Sequence, residues 1–536
     1  MTPEIQVIIE KLIQEYPSDY TEMHAKKAQW GALREKLHTA EECIKLLQVE
    51  EEESSIILLG TLAHNLGVFY THVVADYPKA LEYFQIALNA KQTIGSPPES
   101  LALTHAHLAD CAYRNGNTVL GITHFEKANQ IYKQAKGHKD TDLARAFVLH
   151  ACGNAYYNIG AYLKALALFS EARELRLKHL PEDNIDFGYL EHDEADVFAA
   201  LGEHEHAEKL FNSSLKKKKK YFEEEHTNIA LLYQCQALLY IKNNQLQEAE
   251  TNLKWAYAIY AKHVEHSATE IQPDLLRNYF YGILLQLAAD NFAQAKDEIE
   301  HFKSQVETIK DKTHSAYVRL AQVNNRLLQS QNKPKEALKQ LEETISYFVP
   351  RLDFNSAGEL LTVDNKFDVA PLISEYAIEL FIQSGYQNFD ESLKMIQLAL
   401  KLKEDFYQSL PMFNPPLGTI SYAFSDYDFG LLYYLGALAS DNSKERQEKL
   451  ITASHYIQNA RNKLIQAGLD KNHINVLACT VQLNKIEETL KSSKQETEHV
   501  KQTLQYRILF FTSAKKMENA QEEFVPYLDT ILRDYP

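Results

Sequence analysis

Apolar and small residues recur three and four positions apart along most of this chain, the spacing that places them on one face of a helix. Stretches with this pattern come in twos. In the clearest pair, Gly153 and Tyr156 mark the first stretch, Tyr162, Ala165, Phe169 and Ala172 the second, and Gly160 lies between them. The order Ala-x3-Phe-x2-Ala lets two helices approach at the small residues while the large one fills the adjoining groove. The pattern then returns. Second-stretch anchors stand at Ala80–Phe84–Ala87, Gly121–Phe125–Ala128, Ala165–Phe169–Ala172, Ala207–Phe211–Ser214 and Ala249–Leu253–Ala256. Weaker copies follow at Ala295–Ile299–Phe302, Ala337–Leu341–Thr344 and Ser392–Ile396–Ala399. Between the large residues the steps are 41, 44, 42, 42, 46, 42 and 55 residues, so the register is regular early and loosens late. Such a period predicts stacked units that bury their apolar faces only against their neighbours. The expected fold class is all-α, a solenoid of antiparallel helix pairs.

The same pattern predicts the organisation of the chain. Residues 1–49 read as an N-terminal helical cap of two helices, one striped by Ile5, Ile8, Ile9, Leu12 and Ile13 and one over Met23–Leu47. Residues 50–348 read as an array of about seven repeats. At Val349-Pro350-Arg351 the period fails, and Asn355, Gly358, Asp364, Asn365 and Pro371 crowd the next stretch, so 349–370 is expected to be an insertion or loop. Residues 371–515 read as degenerate helix pairs and 516–536 as a C-terminal helix. A further break at Leu410–Gly418 precedes Tyr422, Phe424, Tyr427, Phe429, Tyr433 and Tyr434, whose helical spacing predicts the core of another helix.

The repeat resembles that of tetratricopeptide-repeat (TPR) proteins, and its period of roughly 42 residues is similar to the kinesin light chain type. Glu225-His226-Thr227-Asn228-Ile229-Ala230 resembles the inter-repeat motif of that type, with Thr227 where Pro is usual. Leu62-Ala63-His64-Asn65-Leu66-Gly67 matches its groove motif in part. The resemblance implies a right-handed superhelix whose first helices line a concave face that takes a peptide or partner helix. Mapped on these positions, it implies groove residues His64, Asn65, Val68 and His72, then Ala106, Asp110 and Tyr113, then His150, Asn154, Tyr157 and Asn158. His192 and Asp196 follow, and then Gln234, Leu238 and Lys242. Asn and His can hydrogen-bond a peptide backbone, and Tyr adds apolar area with a polar tip. The cationic clamp by which some members hold a carboxylate tail is missing, because Asp110, Asp193 and Asp196 stand near its place. An acidic ligand would favour the later copies, which carry Arg277, Arg319 and Arg326.

Charge narrows the partners. The formal net charge is −17, which argues against nucleic acid and anionic membrane, since both require a cationic footprint. The run Lys216–Lys220 is expected to be the last turn of a helix on a solvated face, where cations complement the helix dipole. Five scattered cysteines imply neither disulfides nor a zinc motif and suit a reducing cytosol. The start Met1-Thr2-Pro3-Glu4 lacks the features of a signal peptide, and no segment is expected to span a membrane. His204-Glu205-His206 and Glu191-His192-Asp193-Glu194 look metal-like but are expected to be solvated inter-helix residues, since residues two apart on a helix, such as His204 and His206, point to different faces. No phosphate-binding Gly loop, His-Glu-x-x-His helix or nucleophile elbow is present.

The expected function is therefore a non-enzymatic interaction scaffold or adaptor. It needs no cofactor, metal or catalytic residue, and its partner is a protein or peptide. Two further readings are a peptide-sensing TPR regulator and a secreted bacterial effector. The expected location is the cytoplasm, or a host cytosol in the effector case.

Overall fold

The structure, a computed structural model, describes residues 2–18, 29–74, 76–135, 138–264, 273–349, 363–410 and 420–491. Helices account for all of its regular structure, and no strand occurs among the described residues. After the helices Pro3–Glu15, Trp30–Glu35 and Leu37–Leu47, the chain forms successive pairs. These are Glu53–Phe69 with Tyr77–Thr93, Pro98–Arg114 with Thr118–Gln134, Lys139–Asn158 with Tyr162–Leu177, and Ile185–Leu201 with His204–Tyr221. They continue as Thr227–Lys242 with Leu246–Val264, Pro273–Ala288 with Phe292–Val306, and Ser315–Ser330 with Pro334–Phe348. Val363–Gln383 with Phe389–Gln408, Ile420–Ala439 with Ser443–Gln466, and the helix Ile474–Lys491 complete the described chain.

Two devices make the pairs. The first is the small–large contact read from the sequence: Phe84, Phe125, Phe169 and Phe211 are essentially inaccessible to solvent. A Cβ on Gly67 would lie 2.7 Å from the Phe84 ring, and one on Gly153 only 2.3 Å from the Phe169 ring. The second is a left-handed residue in the turn inside each of six successive pairs, from Pro98–Arg114 with Thr118–Gln134 to Ser315–Ser330 with Pro334–Phe348. Gly116, Gly160 and Gly202 have φ of 76°, 76° and 85°, and the next three pairs use Asn244, Asp290 and Asn332 at 58°, 59° and 57°. Glycine and Asn/Asp are the residues that reach this region at least cost. At Gly202 the cap is closed by N–H donation from Gly202 to Ala199 O (3.3 Å) and from Glu203 to Phe198 O (2.9 Å).

The chain folds as two compact units. The first comprises Met1–Tyr156 and Ala167–Pro181, the second Tyr157–Leu166 and the chain from Glu182 onward. This division differs from the one expected at 349–370. One core joins Val318, Leu341, Ile345 and Phe348 to Val369, Ile373, Ala377 and Ile396, so the apolar contact between repeats is unbroken there. Nor is all of 349–370 a loop. The helix Val363–Gln383 covers its end and contains Pro371, while residues 350–362 lie outside the described residues. The segments 411–419 and 492–536 also lie outside them, and with them the expected C-terminal helix 516–536. At the N-terminus, the stretch expected as one helix to Leu47 is divided at Lys36, whose N–H bonds Leu33 O at 3.1 Å.

Two further expectations meet the structure, one concerning an apolar helix and one, corrected, concerning the lysine run. Glu53–Val74 is long and apolar enough to cross a membrane by length and composition. Here Leu62, Ala63, Leu66, Val68 and Phe69 are inaccessible within the core of the first unit. The lysine run is not wholly solvated, since Lys218 is completely buried. Helical periodicity carries the inward stripe Ala207–Phe211–Ser214 one turn further, onto Lys218.

Candidate functional site

The proposed groove residues divide between the two units. In the first unit most are already engaged. His64 is buried, with Nδ1 3.1 Å from Thr104 Oγ1 and Nε2 3.0 Å from Ser18 O. Asn65 donates from Nδ2 to Ile13 O (3.0 Å) and Tyr16 O (3.1 Å). The backbone-binding chemistry expected of Asn65 is thus present, but its acceptors belong to the end of the chain's own N-terminal helix. His72 Nε2 lies 3.7 Å from Asp110 Oδ2, and Arg114 Nε donates to the same oxygen at 2.9 Å. Burial opposes ionisation of Asp110, yet Arg114 and His72 hold its carboxyl below the usual range. His150 is buried edge-on to Phe169, with Nδ1 3.2 Å from Arg176 Nη2. Tyr113 and Asn154 are half-buried.

The second unit brings the remaining residues into a denser set. His192 and Asp196 sit on Ile185–Leu201, the first helix of its pair, with His192 Nε2 3.8 Å from Asp196 Oδ2. His192 Nδ1 is 2.8 Å from Nζ of the buried Lys218, which also lies 5.0 Å above the Tyr189 ring. Asp196 exposes 22% of its side chain. Burial raises its carboxyl to about 7, Asp193 adds to the rise, and Arg277 and Lys218 oppose it. The Tyr157 hydroxyl is pushed well up, first by burial and then by Asp196, Tyr162, Tyr281 and Cys235. Gln234 is fully buried and donates to Asp274 O at 2.8 Å. Asn158 and Lys242 are half-buried, the latter in the last turn of its helix.

Several members of this set were not among the candidates. Cys235, one position beyond Gln234, has its Sγ within 4.8 Å of an Asp196 carboxylate oxygen; burial pushes its thiol well up, Asp196 adds to the rise, and Arg277 and Lys218 oppose it. Tyr281 interacts with Arg277, Cys235, Asp196 and Arg319. Further along, Asn325 donates to Glu375, while Gln329 and Gln383 donate to Glu379 at 3.3 and 2.9 Å. Burial raises the Glu379 carboxyl to about 7, the Gln383 amide opposes the rise and Glu375 adds to it. The available signal was the step of about 42 residues. Applied from Asp196 and Cys235, it reaches the neighbourhood of Arg277 and Arg319.

Chemically, consecutive first helices of the second unit carry carboxylate, amide, thiol, guanidinium and phenol groups. The architecture and the periodic anchors decide the fold class. The fold is a TPR-like helical solenoid. No family model matches the sequence, and no curated protein matches it. Among solved structures, the TPR-like chain is similar to a Rap protein complexed with competence and sporulation factor. The TM-score is 0.50 at 14% identity, covering 75% of this chain and 100% of that one. It is also similar to aspartyl phosphate phosphatase F from Bacillus subtilis (TM-score 0.40, 14% identity, 77% and 96% covered). A third similar structure is that of the kinesin light chain TPR-like repeats of Podosopora anserina (TM-score 0.32, 20% identity, 40% and 99% covered).

Proposed function

We propose that this protein is a non-enzymatic interaction scaffold that holds a linear peptide along the first helices of the second unit. The observation that carries this reading is the continuity of the polar set. Asp196 on Ile185–Leu201, Cys235 on Thr227–Lys242, Arg277 and Tyr281 on Pro273–Ala288, and Arg319 on Ser315–Ser330 stand on successive first helices, near enough for their charges to shift one another's proton affinity. Such a ladder offers an extended chain donors and acceptors at each repeat step, the groove mode of peptide recognition. Its charges are ordered. Asp193 and Asp196 lie at one end, Arg277 and Arg319 in the middle, and Glu375 and Glu379 at the other. A ligand with a central acidic group and basic flanks fits that order, whereas a uniformly acidic tail does not. The Rap protein with the similar fold is itself complexed with a factor. A factor-binding regulator is the form of this reading closest to that neighbour.

Selection of displayed short linear peptides on the full chain tests the proposal. Selected peptides are expected to carry an acidic residue between basic ones. Arg277→Ala and Arg319→Ala should each weaken their binding about tenfold or more, as for a buried charged anchor, when read by fluorescence anisotropy. Trp255→Ala, at a residue half exposed to solvent, should leave affinity unchanged. Failure to select any peptide, or binding indifferent to both arginine variants, rejects the reading.

A further inference from the structure

His192 and Asp196 are four residues apart on one helix and therefore project from the same face. Cys235 enters from the first helix of the following pair. One donor atom from each of the three lies within 4.8 Å of both others, and no other such group of His, Cys, Asp or Glu occurs among the described residues. A tetrahedral zinc ion with bonds of about 2.0–2.3 Å holds its ligand atoms about 3.3–3.7 Å apart. The trio therefore needs a contraction of about 1 Å along its longest edge, within the reach of side-chain rotation. The His192–Asp196 edge, at 3.8 Å, is already near that value.

We propose that His192 Nε2, Asp196 and Cys235 Sγ bind one divalent zinc-type ion, with the fourth coordination position open. The donor set selects the class of metal: thiolate with imidazole and a single carboxylate suits Zn2+, not Mg2+ or Ca2+, which take all-oxygen shells. The outer contact selects the nitrogen. Lys218 Nζ occupies Nδ1 at 2.8 Å, which leaves Nε2 to face the metal. The protons balance. On binding, Cys235 gives up its thiol proton, Asp196 any proton its carboxyl holds, and the Lys218–His192 pair one more. Nδ1–H then donates to a neutral Lys218 amine while Nε2 coordinates. The ion's two positive charges meet one thiolate and one carboxylate, so the bound site is neutral within a mostly buried setting. The open position falls on the side of Asp196, the most exposed of the three ligands, where a water or a donor atom of a groove ligand completes the shell.

The site shares Asp196 and Cys235 with the peptide reading, but its test uses no peptide, so each can fail without the other. Full-length protein, stripped with chelator and reduced, is titrated with Co2+ and then with Zn2+. One equivalent of Co2+ is expected to give tetrahedral visible bands with a thiolate charge-transfer band, and Zn2+ is expected to displace both. Cys235→Ser should abolish the charge-transfer band. The isosteric Asp196→Asn should weaken Co2+ binding tenfold or more, with helical circular dichroism unchanged. Cys479→Ser, at a buried cysteine in the Ile474–Lys491 helix, should behave as wild type. The proposal is overturned by the absence of a stoichiometric thiolate band, or by a band that survives Cys235→Ser.

Discussion

At the scale of single residues, pairing rests on how closely two backbones approach. Gly153 is the sharpest case, since a methyl group there would overlap the Phe169 ring. Both residues are buried, so the ring has no solvent to move into. Gly153→Ala is expected to destabilise the protein by about 1–3 kcal/mol, the cost of overpacking a filled core, as a lowered urea midpoint with unchanged helical content. A midpoint equal to wild type would show that the ring yields freely. Glycine and its knob were legible in the sequence because their spacing repeats. The burial of Lys218 was not. A lysine within Lys216–Lys220 looks like any other until the helix phase set by Phe211 and Ser214 is known, and that phase selects one of the five for the interior.

At the scale of elements, local signals locate helix ends well and judge helix interiors less well. His226, His314 and His473 each accept an N–H bond at Nδ1 from the residue two further on (3.1, 3.1 and 3.2 Å), and so cap the first helix of their unit. The His226 motif read from the sequence therefore has a mechanical role, and it recurs. Pro371 is the opposite case. A proline costs a helix interior about 3 kcal/mol, and its presence suggested a loop. The helix Val363–Gln383 forms regardless, because Val369, Ala370, Leu372, Ile373, Ala377 and Phe381 are buried along it. Each large apolar side chain contributes about 1.5–3 kcal/mol, so burial outweighs the local penalty. Pro371→Ala should accordingly stabilise the protein by about 1–3 kcal/mol, measured as a raised urea midpoint. A fall in the midpoint would mean that the proline ring supplies packing worth more than the missing hydrogen bond.

At the scale of the whole molecule, a solenoid is usually a sum of nearest-neighbour contacts, but the second unit also contains contacts distant in sequence. Tyr407 Oη donates to Ile159 O at 2.9 Å, 248 residues away. A Cβ on Gly202 would lie 2.7 Å from His473, and one on Gly468 would lie 2.9 Å from Leu163. The late helices thus dock on the turns of earlier pairs, which explains why Tyr157–Leu166 belongs to this unit. Tyr407→Phe leaves the buried Ile159 carbonyl without its donor, at a cost of about 1–3 kcal/mol. Hydrogen exchange is expected to quicken in Tyr157–Leu166 and Phe389–Gln408 together, with little change in Pro273–Val306. Unchanged exchange in both segments would show that the docking does not depend on this bond.

The sequence alone determined what depends on one helix or on neighbouring helices: the pairs, the anchors Phe84 to Ile396, and the turn at Gly160. These follow from spacings of three, four and about 42 residues, which are properties of the chain's own order. Only the tertiary structure decided which polar groups meet. It engaged His64 and Asn65 with the N-terminal segment, turned Lys218 inward onto His192, and set Cys235 beside Asp196. Such meetings depend on the angle and register of stacked helices. Those are set by the sum of many packing contacts, and no single residue spacing records them.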